Sequence, residues 1–320
     1  MTSLADARIA VLMGGPSAEA EVSRVSAAGV AHALQGRCAA VQTFELDARC
    51  AEALTAWRPD AVFPALHGPP GEDGTVQGLL SLLGLPYVGS DVHASAVAMD
   101  KALAKQVFRT AELPLARDVL VTRAEPRPEA IARITHALGV NVVVKPTRQG
   151  SALGVTLVED SSGLERALEA ALELDSEVLI EERVRGMEIT AGVLEQSDGA
   201  LVPHPVIEIA TPDGTWYDYE HRYTAGESDH IIPARLPAAT LAELQRIAVV
   251  AHRRLGCRDL SRADFVVSAK RIVLLEVNTL PGMTPTSLYP DGAAALGHAF
   301  PELICALVSN ALHRGPDIAF

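Results

Sequence analysis

Residues 259–288, DLSRADFVVSAKRIVLLEVNTLPGMTPTSL, constrain the fold more than any other stretch of this 320-residue chain. Two apolar runs, about 261–267 and 272–278, flank a short Ser-Ala-Lys-Arg turn, the pattern of a β-hairpin. Strand side chains alternate faces, so Ala263, Phe265 and Val267 are expected on one face, with Val273, Leu275 and Val277 as their partners. The other face carries Arg262, Asp264, Glu276 and Asn278. A turn centred on Lys270 sets Asp264 opposite Glu276 and Arg262 opposite Asn278. Two opposed carboxylates repel unless a cation lies between them. Oxygen donors without Cys or His suit a hard ion such as Mg²⁺, which takes one or two carboxylates and completes its shell with water and phosphate oxygens. The hairpin therefore reads either as a metal–nucleotide site with Arg262 beside it or as an ordinary solvated face. The loop that follows it, Asn-Thr-Leu-Pro-Gly-Met-Thr, favours the first.

The length implies roughly two or three domains. A net charge of −13 disfavours nucleic acid as a partner and requires that any anionic substrate be met by local positive charge. Cys38, Cys50, Cys257 and Cys305 lack C-x-x-C spacing, so neither a zinc site nor a disulfide framework is suggested. No apolar run reaches membrane-spanning length, and Asp6 and Arg8 precede a short apolar run unlike a secretory signal. A cytoplasmic enzyme is the default expectation, with no membrane partner.

Along the chain, RIAVLMGG (8–15) reads as a buried strand ending in a glycine turn, followed by a helix from about 18 to 34. Strand, glycine turn and helix open an α/β unit, whose ligand sites lie at strand C-terminal ends. Glu19 and Glu21 fall in the first helical turn, where carboxylates also suit the helix dipole. Strands at 40–47 and 60–66 and a helix at 50–57 follow, then the loop HGPPGEDG (67–74), a helix at 75–83 and a short strand at 86–88. A helix begins at Met99-Asp100-Lys101. Lys145 ends a strongly apolar strand, and the glycine loop 147–154 links it to the next strand. That loop is not a Walker A motif, yet loops of this kind can cover phosphates as well as simply turn the chain. Strands are expected at 177–184, 187–195 and 200–209, helices at 238–255, about 291–296 and 300–313, and an aromatic-dense loop at 213–223.

Seven motifs then stand in one order: GGPSAEAEVS (14–23), HGPPGEDG (67–74), MDK (99–101), KPTRQGS (145–151), EVLIEERVRGMEIT (177–190), WYDYEHRY (216–223) and LEVNTLPGMTPTSL (275–288). By these motifs the chain resembles the D-alanine–D-alanine ligases of the ATP-grasp superfamily over essentially its whole length. The resemblance implies an α/β (α+β) architecture: an ATP-grasp fold with an N-terminal α/β, Rossmann-like domain at 1–95 and two further α+β domains, a central one at 96–184 and a catalytic one at 185–320. It implies ATP-dependent joining of two D-alanines through a D-alanyl phosphate, for peptidoglycan precursor synthesis, and a homodimer.

The resemblance also implies roles for residues. Lys101, Lys145 and Arg222 would contact the phosphates of ATP. Glu181 and the backbone of Glu182 and Val184 would read the adenine, and Glu188 the ribose. Asp264, Glu276 and Asn278 would hold two Mg²⁺ (or Mn²⁺) ions. Arg262 and the N–H of Gly282 would stabilise the oxyanion. Glu19 would receive the ammonium of the first D-alanine and form a hydrogen-bonded trio with Ser151 and Tyr223. Ser287 and Leu288 would bind the carboxylate of the second D-alanine, with His67 nearby.

Some positions depart from the family pattern. Arg222 stands where Lys is common, Glu182 where Lys is frequent, Arg183 where an aromatic is frequent, and Ser-Ala-Leu-Gly at 151–154 where a second Ser and a Val are common. Tyr223 matches the dipeptide-forming branch, whereas Phe occurs there in some relatives that use D-lactate. Two alternatives stay open: a ligase for another acceptor such as D-lactate or D-serine, with specificity in 211–232, and a nucleotide-binding regulator without ligase activity.

Overall fold

The computed structural model describes residues 2–211 and 228–318. The chain opens with β1 (Arg8–Met13), α1 (Ala20–Leu34), β2 (Ala40–Glu45), α2 (Cys50–Trp57), β3 (Ala61–Pro64) and α3 (Thr75–Leu82). These strands pair in parallel in the order β2-β1-β3. The central strand is covered on both faces, which explains its unbroken apolar run Ile9–Leu12. The strand expected at 86–88 is a single bridge, Tyr87 to Val62. Pro86 has no N–H to extend the ladder.

Two helices follow, α4 (Val92–Met99) and α5 (Lys101–Thr110). The sequence reading placed no helix at 92–99. Asp91 and Asp100 cap them: the Asp91 carboxylate accepts from the N–H of Ala94, and that of Asp100 from those of Ala102 and Leu103.

A four-stranded antiparallel sheet comes next. Its elements are β4 (Asp118–Thr122), α6 (Arg127–Leu138), β5 (Val142–Pro146), β6 (Thr156–Val158), α7 (Ser161–Leu174) and β7 (Glu177–Glu182), with strand order β4-β7-β5-β6. Ile134 of α6 and Leu164, Leu168 and Leu172 of α7 pack on Val142, Val144, Val178 and Ile180, closing one face of the sheet and leaving the other to a cleft.

The second antiparallel sheet is built from β8 (Met187–Glu195), β9 (Leu201–Pro203), β10 (Ile207–Ala210), β11 (Asp229–Ile231), α8 (Ala238–Leu255), β12 (Leu260–Val267) and β13 (Ile272–Asn278). Its order is β11-β10-β8-β12-β13, with β9 beside β8. The strand expected at 200–209 is thus two, broken at His204-Pro205, and the 187–195 strand is as expected. The chain closes with α9 (Leu288–Ala295) and α10 (Phe300–Arg314). Helix α9 starts before the expected position, because Pro290 lies in its first turn, where a missing N–H costs nothing. Leu303, Ile304, Leu307 and Val308 of α10 return to pack on Ala27, Val30 and Leu34 of α1, so the end of the chain completes the first core. Among the described residues no single helix is long and apolar enough to cross a membrane.

The β12–β13 hairpin has the predicted register, Asp264 against Glu276 and Arg262 against Asn278. Ala263, Phe265 and Val267 face the core as expected. On the partner strand only Val277 follows the expectation. The register shifts between Asp264 and Phe265, so Phe265 pairs with Leu274 and Leu275 is the extra residue. Leu274 and Val277 therefore enter the core, while Val273 and Leu275 line the cleft.

Candidate active site

The two antiparallel sheets enclose a cleft of ≈ 540 Å³. From the four-stranded sheet come Val143, Lys145 and Glu181; from the other come Glu188, Val266, Val273 and Glu276. Lys101, at the start of α5, and Glu182 and Val184, at the end of β7, also line it. Every residue expected to touch the nucleotide that lies among the described residues is therefore on one cavity. The interior is apolar on its walls and charged at its ends, the usual makeup of a small-molecule site.

At one end Glu181, 3% exposed, meets two ammonium groups. Lys105 donates to Oε1 and Lys145 to Oε2. Burial acts to raise this carboxyl, but Lys145 and Lys105 outweigh it and hold it down at about 2. Glu182 accepts from Arg117 Nε at 3.0 Å and from Arg271 Nη2 at 2.8 Å, tying the first sheet to the hairpin turn of the second. Two arginines thus answer the acidic departure at 182. Arg183 donates to Glu159 at 2.6 Å while lining the cleft.

At the other end Lys101 Nζ lies 3.1 Å from Glu276 Oε2 and donates to the carbonyl of Gln149 at 2.7 Å. It thereby tethers the glycine loop to the hairpin. Asp264 is the most heavily bonded group here. Arg262 donates to it through Nε at 2.8 Å and Nη2 at 2.7 Å, Thr190 at 2.6 Å and Asn278 at 3.1 Å. The repulsion foreseen between Asp264 and Glu276 is offset by Arg262 on one and Lys101 on the other. Among the described residues no cluster of three His, Cys, Asp or Glu side chains stands ready for a metal. Two carboxylates and one amide fit a hard cation that arrives with phosphate oxygens, because Mg²⁺ rarely takes an all-protein cage.

A second, smaller cavity of ≈ 70 Å³ adjoins the first. Glu19, His67, Glu72, Ser151, Arg262, Glu276, Asn278, Gly282, Ser287 and Leu288 line it. Glu276 borders both cavities. Ser151 donates its hydroxyl to Glu19 Oε1, joining the glycine loop to the head of α1. Ser151 and Ala152 both have left-handed backbone, φ 45° and 59°, an uncommon conformation for residues with a Cβ. A Cβ at Gly150 would come 3.1 Å from Glu19 Oε2, a tight approach to which the carboxylate would have to yield. Gly282 is more tightly confined: a Cβ there would come 2.7 Å from Ser287 Oγ, which would have to move. Ser287 precedes the N-terminus of α9, where unpaired N–H groups and the positive end of the helix dipole suit a carboxylate. His67 Nε2 is 3.2 Å from Ser26 Oγ, and burial pushes this imidazole below its ordinary range.

The sequence reading assigned no role to Glu72 or Lys105. Burial, and then the charge of Glu19, push Glu72 up to about 8, although the Gly68 N–H on Oε2 opposes this. Glu72 is consequently neutral over part of the physiological range, which relieves a pocket already holding Glu19 and Glu276. The loop 67–74 carried that signal as a cluster of Glu and Asp. Lys105 was signalled by its place three residues after Ala102 and three before Phe108, on the buried stripe of α5. Arg222, Tyr223 and the motif 216–223 lie outside the described residues.

The family model described as D-ala D-ala ligase C-terminus matches residues 107–309, and the one described as D-ala D-ala ligase N-terminus matches 42–90. A D-alanine–D-alanine ligase of Moorella thermoacetica is 46% identical over 309 residues, covering 95% of this chain and 99% of that protein. One from Paramagnetospirillum magneticum is 45% identical over 95% of this chain and 98% of its own. The structure of the Bacillus anthracis D-alanine–D-alanine ligase complexed with ATP superposes with a TM-score of 0.80 at 30% identity, covering 96% of this chain and 98% of that one. The Coxiella burnetii enzyme gives a TM-score of 0.82 at 27% identity, covering 97% and 94%. The matches run through both cavities and nearly end to end, and the chain belongs to the D-alanine–D-alanine ligase family.

Proposed function

We propose that this chain joins two D-alanines to D-alanyl-D-alanine, using ATP and releasing ADP and phosphate, for peptidoglycan precursor synthesis in the cytoplasm. The observation that carries this reading is the place of Glu276 on the wall between a nucleotide-sized cleft and a small polar pocket. A phosphoryl group held beside Glu276 is within reach of a carboxylate held in the pocket.

The first D-alanine is held with its ammonium on Glu19 and its carboxylate towards Glu276. A carboxylate oxygen attacks the γ-phosphorus, ADP leaves, and a D-alanyl phosphate forms. Lys101, Lys145 and Arg222 grip the phosphates, Glu181 with the backbone of Glu182 and Val184 reads the adenine, and Glu188 holds the ribose. Asp264, Glu276 and Asn278 are the residues that would hold Mg²⁺ or Mn²⁺, which neutralises charge on the transferring phosphoryl group. The second D-alanine places its carboxylate at Ser287, Leu288 and the α9 N-terminus, with His67 beside it. Its amine loses a proton and attacks the acyl carbon. Arg262 and the Gly282 N–H meet the oxyanion. Phosphate then departs with one former carboxylate oxygen. Ser151, Glu19 and Tyr223 hold the glycine loop over the intermediate and keep water out. Three units (1–95, 96–184 and 185–320) and a homodimer complete the proposal.

The test is D-alanine carrying ¹⁸O in its carboxylate. One ¹⁸O per dipeptide in the released phosphate supports the reading; unlabelled phosphate contradicts it. Trials with D-lactate or D-serine as acceptor decide the competing specificity.

A further inference from the structure

Lys105 is a lysine that the chemistry above does not use, yet only 1% of it is exposed. Its ammonium has three N–H donors and three acceptors: the Ala116 carbonyl at 3.0 Å, Asp118 Oδ2 at 2.8 Å and Glu181 Oε1. Asp118 and Glu181 are direct cross-strand partners on β4 and β7. Two opposed carboxylates in an apolar sheet need a cation between them, and Lys105 of α5 supplies it. Arg109 also pairs with Asp118, leaving Lys105 the charge shared with Glu181.

The other oxygen of Glu181 is met by Lys145 of β5. The two lysines differ in setting. Lys105 is sealed in, whereas Lys145 lines the cleft and its side chain is 13% exposed. In the proposed function Lys145 grips phosphate and Glu181 reads the base. Lys145 cannot fully neutralise Glu181 while it serves a phosphate, and a buried carboxylate without a partner protonates. A protonated Glu181 is a weaker acceptor and can turn an O–H towards an amino-purine that needs an acceptor.

We propose that Lys105 is a positioning residue. It is the fixed counter-ion that keeps Glu181 ionised and turned into the cleft when Lys145 moves to the phosphates, and so it sets the preference for an amino-purine over a keto-purine nucleotide. The proposal rests on the reading of Glu181 as the base-reading group. The charged groups facing Glu181 are Lys105 from α5, Lys145 from β5 and, through Lys105, Asp118 from β4. A lysine that only balanced core charge would affect folding and leave base choice alone.

The experiment compares binding of ATP and inosine triphosphate, which replaces the exocyclic amine with a carbonyl. Their affinity ratio cancels the titration of the phosphates. The full-length protein is expected to prefer ATP by about 100-fold, a modest value for a site built around a hydrogen bond, with the ratio flat from pH 5.5 to 8. Lys105→Met is expected to cut the ratio tenfold or more and make it fall further at pH 5.5. A folded Lys105→Met protein whose ratio stays within twofold of the parent at both pH values overturns the proposal. Lys145→Met gives a second test that leaves Lys105 and its bonds to Asp118 and Glu181 in place. It is expected to weaken ATP binding while leaving the ratio within twofold, and a collapsed ratio would assign the counter-ion role to Lys145 and overturn the proposal. A parent protein that binds both nucleotides equally overturns it by removing the base-reading role of Glu181. Discrimination that survives in Lys105→Met overturns it with that role intact.

Discussion

Ser151 donates its hydroxyl to Glu19 across 132 residues of chain, so the glycine loop of the four-stranded sheet is fastened to the first helix of the parallel sheet. Both residues line the small pocket, and the bond joins elements of two different sheets. In the proposed reaction, this fastening would hold the loop over the acyl phosphate and keep water from it.

Ser151→Ala removes the fastening without adding bulk. Turnover is expected to fall about 10- to 100-fold. Coupling is the sharper readout: phosphate released per dipeptide formed should rise clearly above one, because water reaches the intermediate. A ratio that stays at one while turnover falls would leave the loop without its shielding role.

Arg262 makes two hydrogen bonds to Asp264 and faces the pocket. Arg262→Ala is expected to hold ATP within about threefold of normal and to lose on the order of 10²–10³ in kcat, the usual loss for one oxyanion donor. Asp264 keeps Thr190 and Asn278 as partners, so the hairpin should remain folded. Unchanged turnover would remove Arg262 from the chemistry.

Glu276→Ala deletes the carboxylate shared by the two cavities and releases Lys101. The Mg²⁺ concentration for half-maximal rate should rise by about tenfold or more. Titration of rate against Mg²⁺ at saturating ATP checks this, and an unaltered midpoint would take the hairpin out of the metal site.

Two histidines away from the site contribute to the pH dependence of stability. His204 has no partner on either ring nitrogen, and burial, aided by His298, lowers it to about 4. His252 is held to about 4 by burial and Arg253, with Nδ1 2.8 Å from Ser261 Oγ. Both folded values lie below the free value of 6.5, so the unfolded chain binds more protons between them. The stability tied to each is therefore fully present above pH 6.5 and is lost as pH falls towards 4, on the order of 3 kcal/mol per histidine. Glu72, raised to about 8, acts in the opposite sense over part of this range, so a variant comparison isolates the effect. His204→Gln should flatten the slope of unfolding free energy against pH between 6.5 and 4 by about one proton, measured by urea unfolding. An unchanged slope would show that His204 does not titrate on unfolding.

Much of the site was legible because hairpin pairing is local. A four-residue turn between two apolar runs fixed Asp264 against Glu276 without knowledge of the rest of the chain. The facing of Val273 and Leu275 differs from the expectation because one extra residue reverses a strand's facing, and no residue type in LLEVN marks that bulge. Glu19, His67, Ser151 and Ser287 could be named individually from their motifs, but their meeting in one pocket depends on how three sheets pack. Lys105 was missed for a related reason. A buried lysine is explained only by its acceptors, and those lie on β4 and β7.

D-alanine-dependent use of ATP can be measured in one assay. Purified protein with ATP and Mg²⁺ is assayed for phosphate release with no amino acid, D-alanine, L-alanine, and D-alanine plus D-lactate, with products identified by mass. Release that requires D-alanine, ignores L-alanine and yields D-alanyl-D-alanine is the predicted result. No release with any amino acid, from protein that binds ATP, would rule out ligation of D-alanine by this chain.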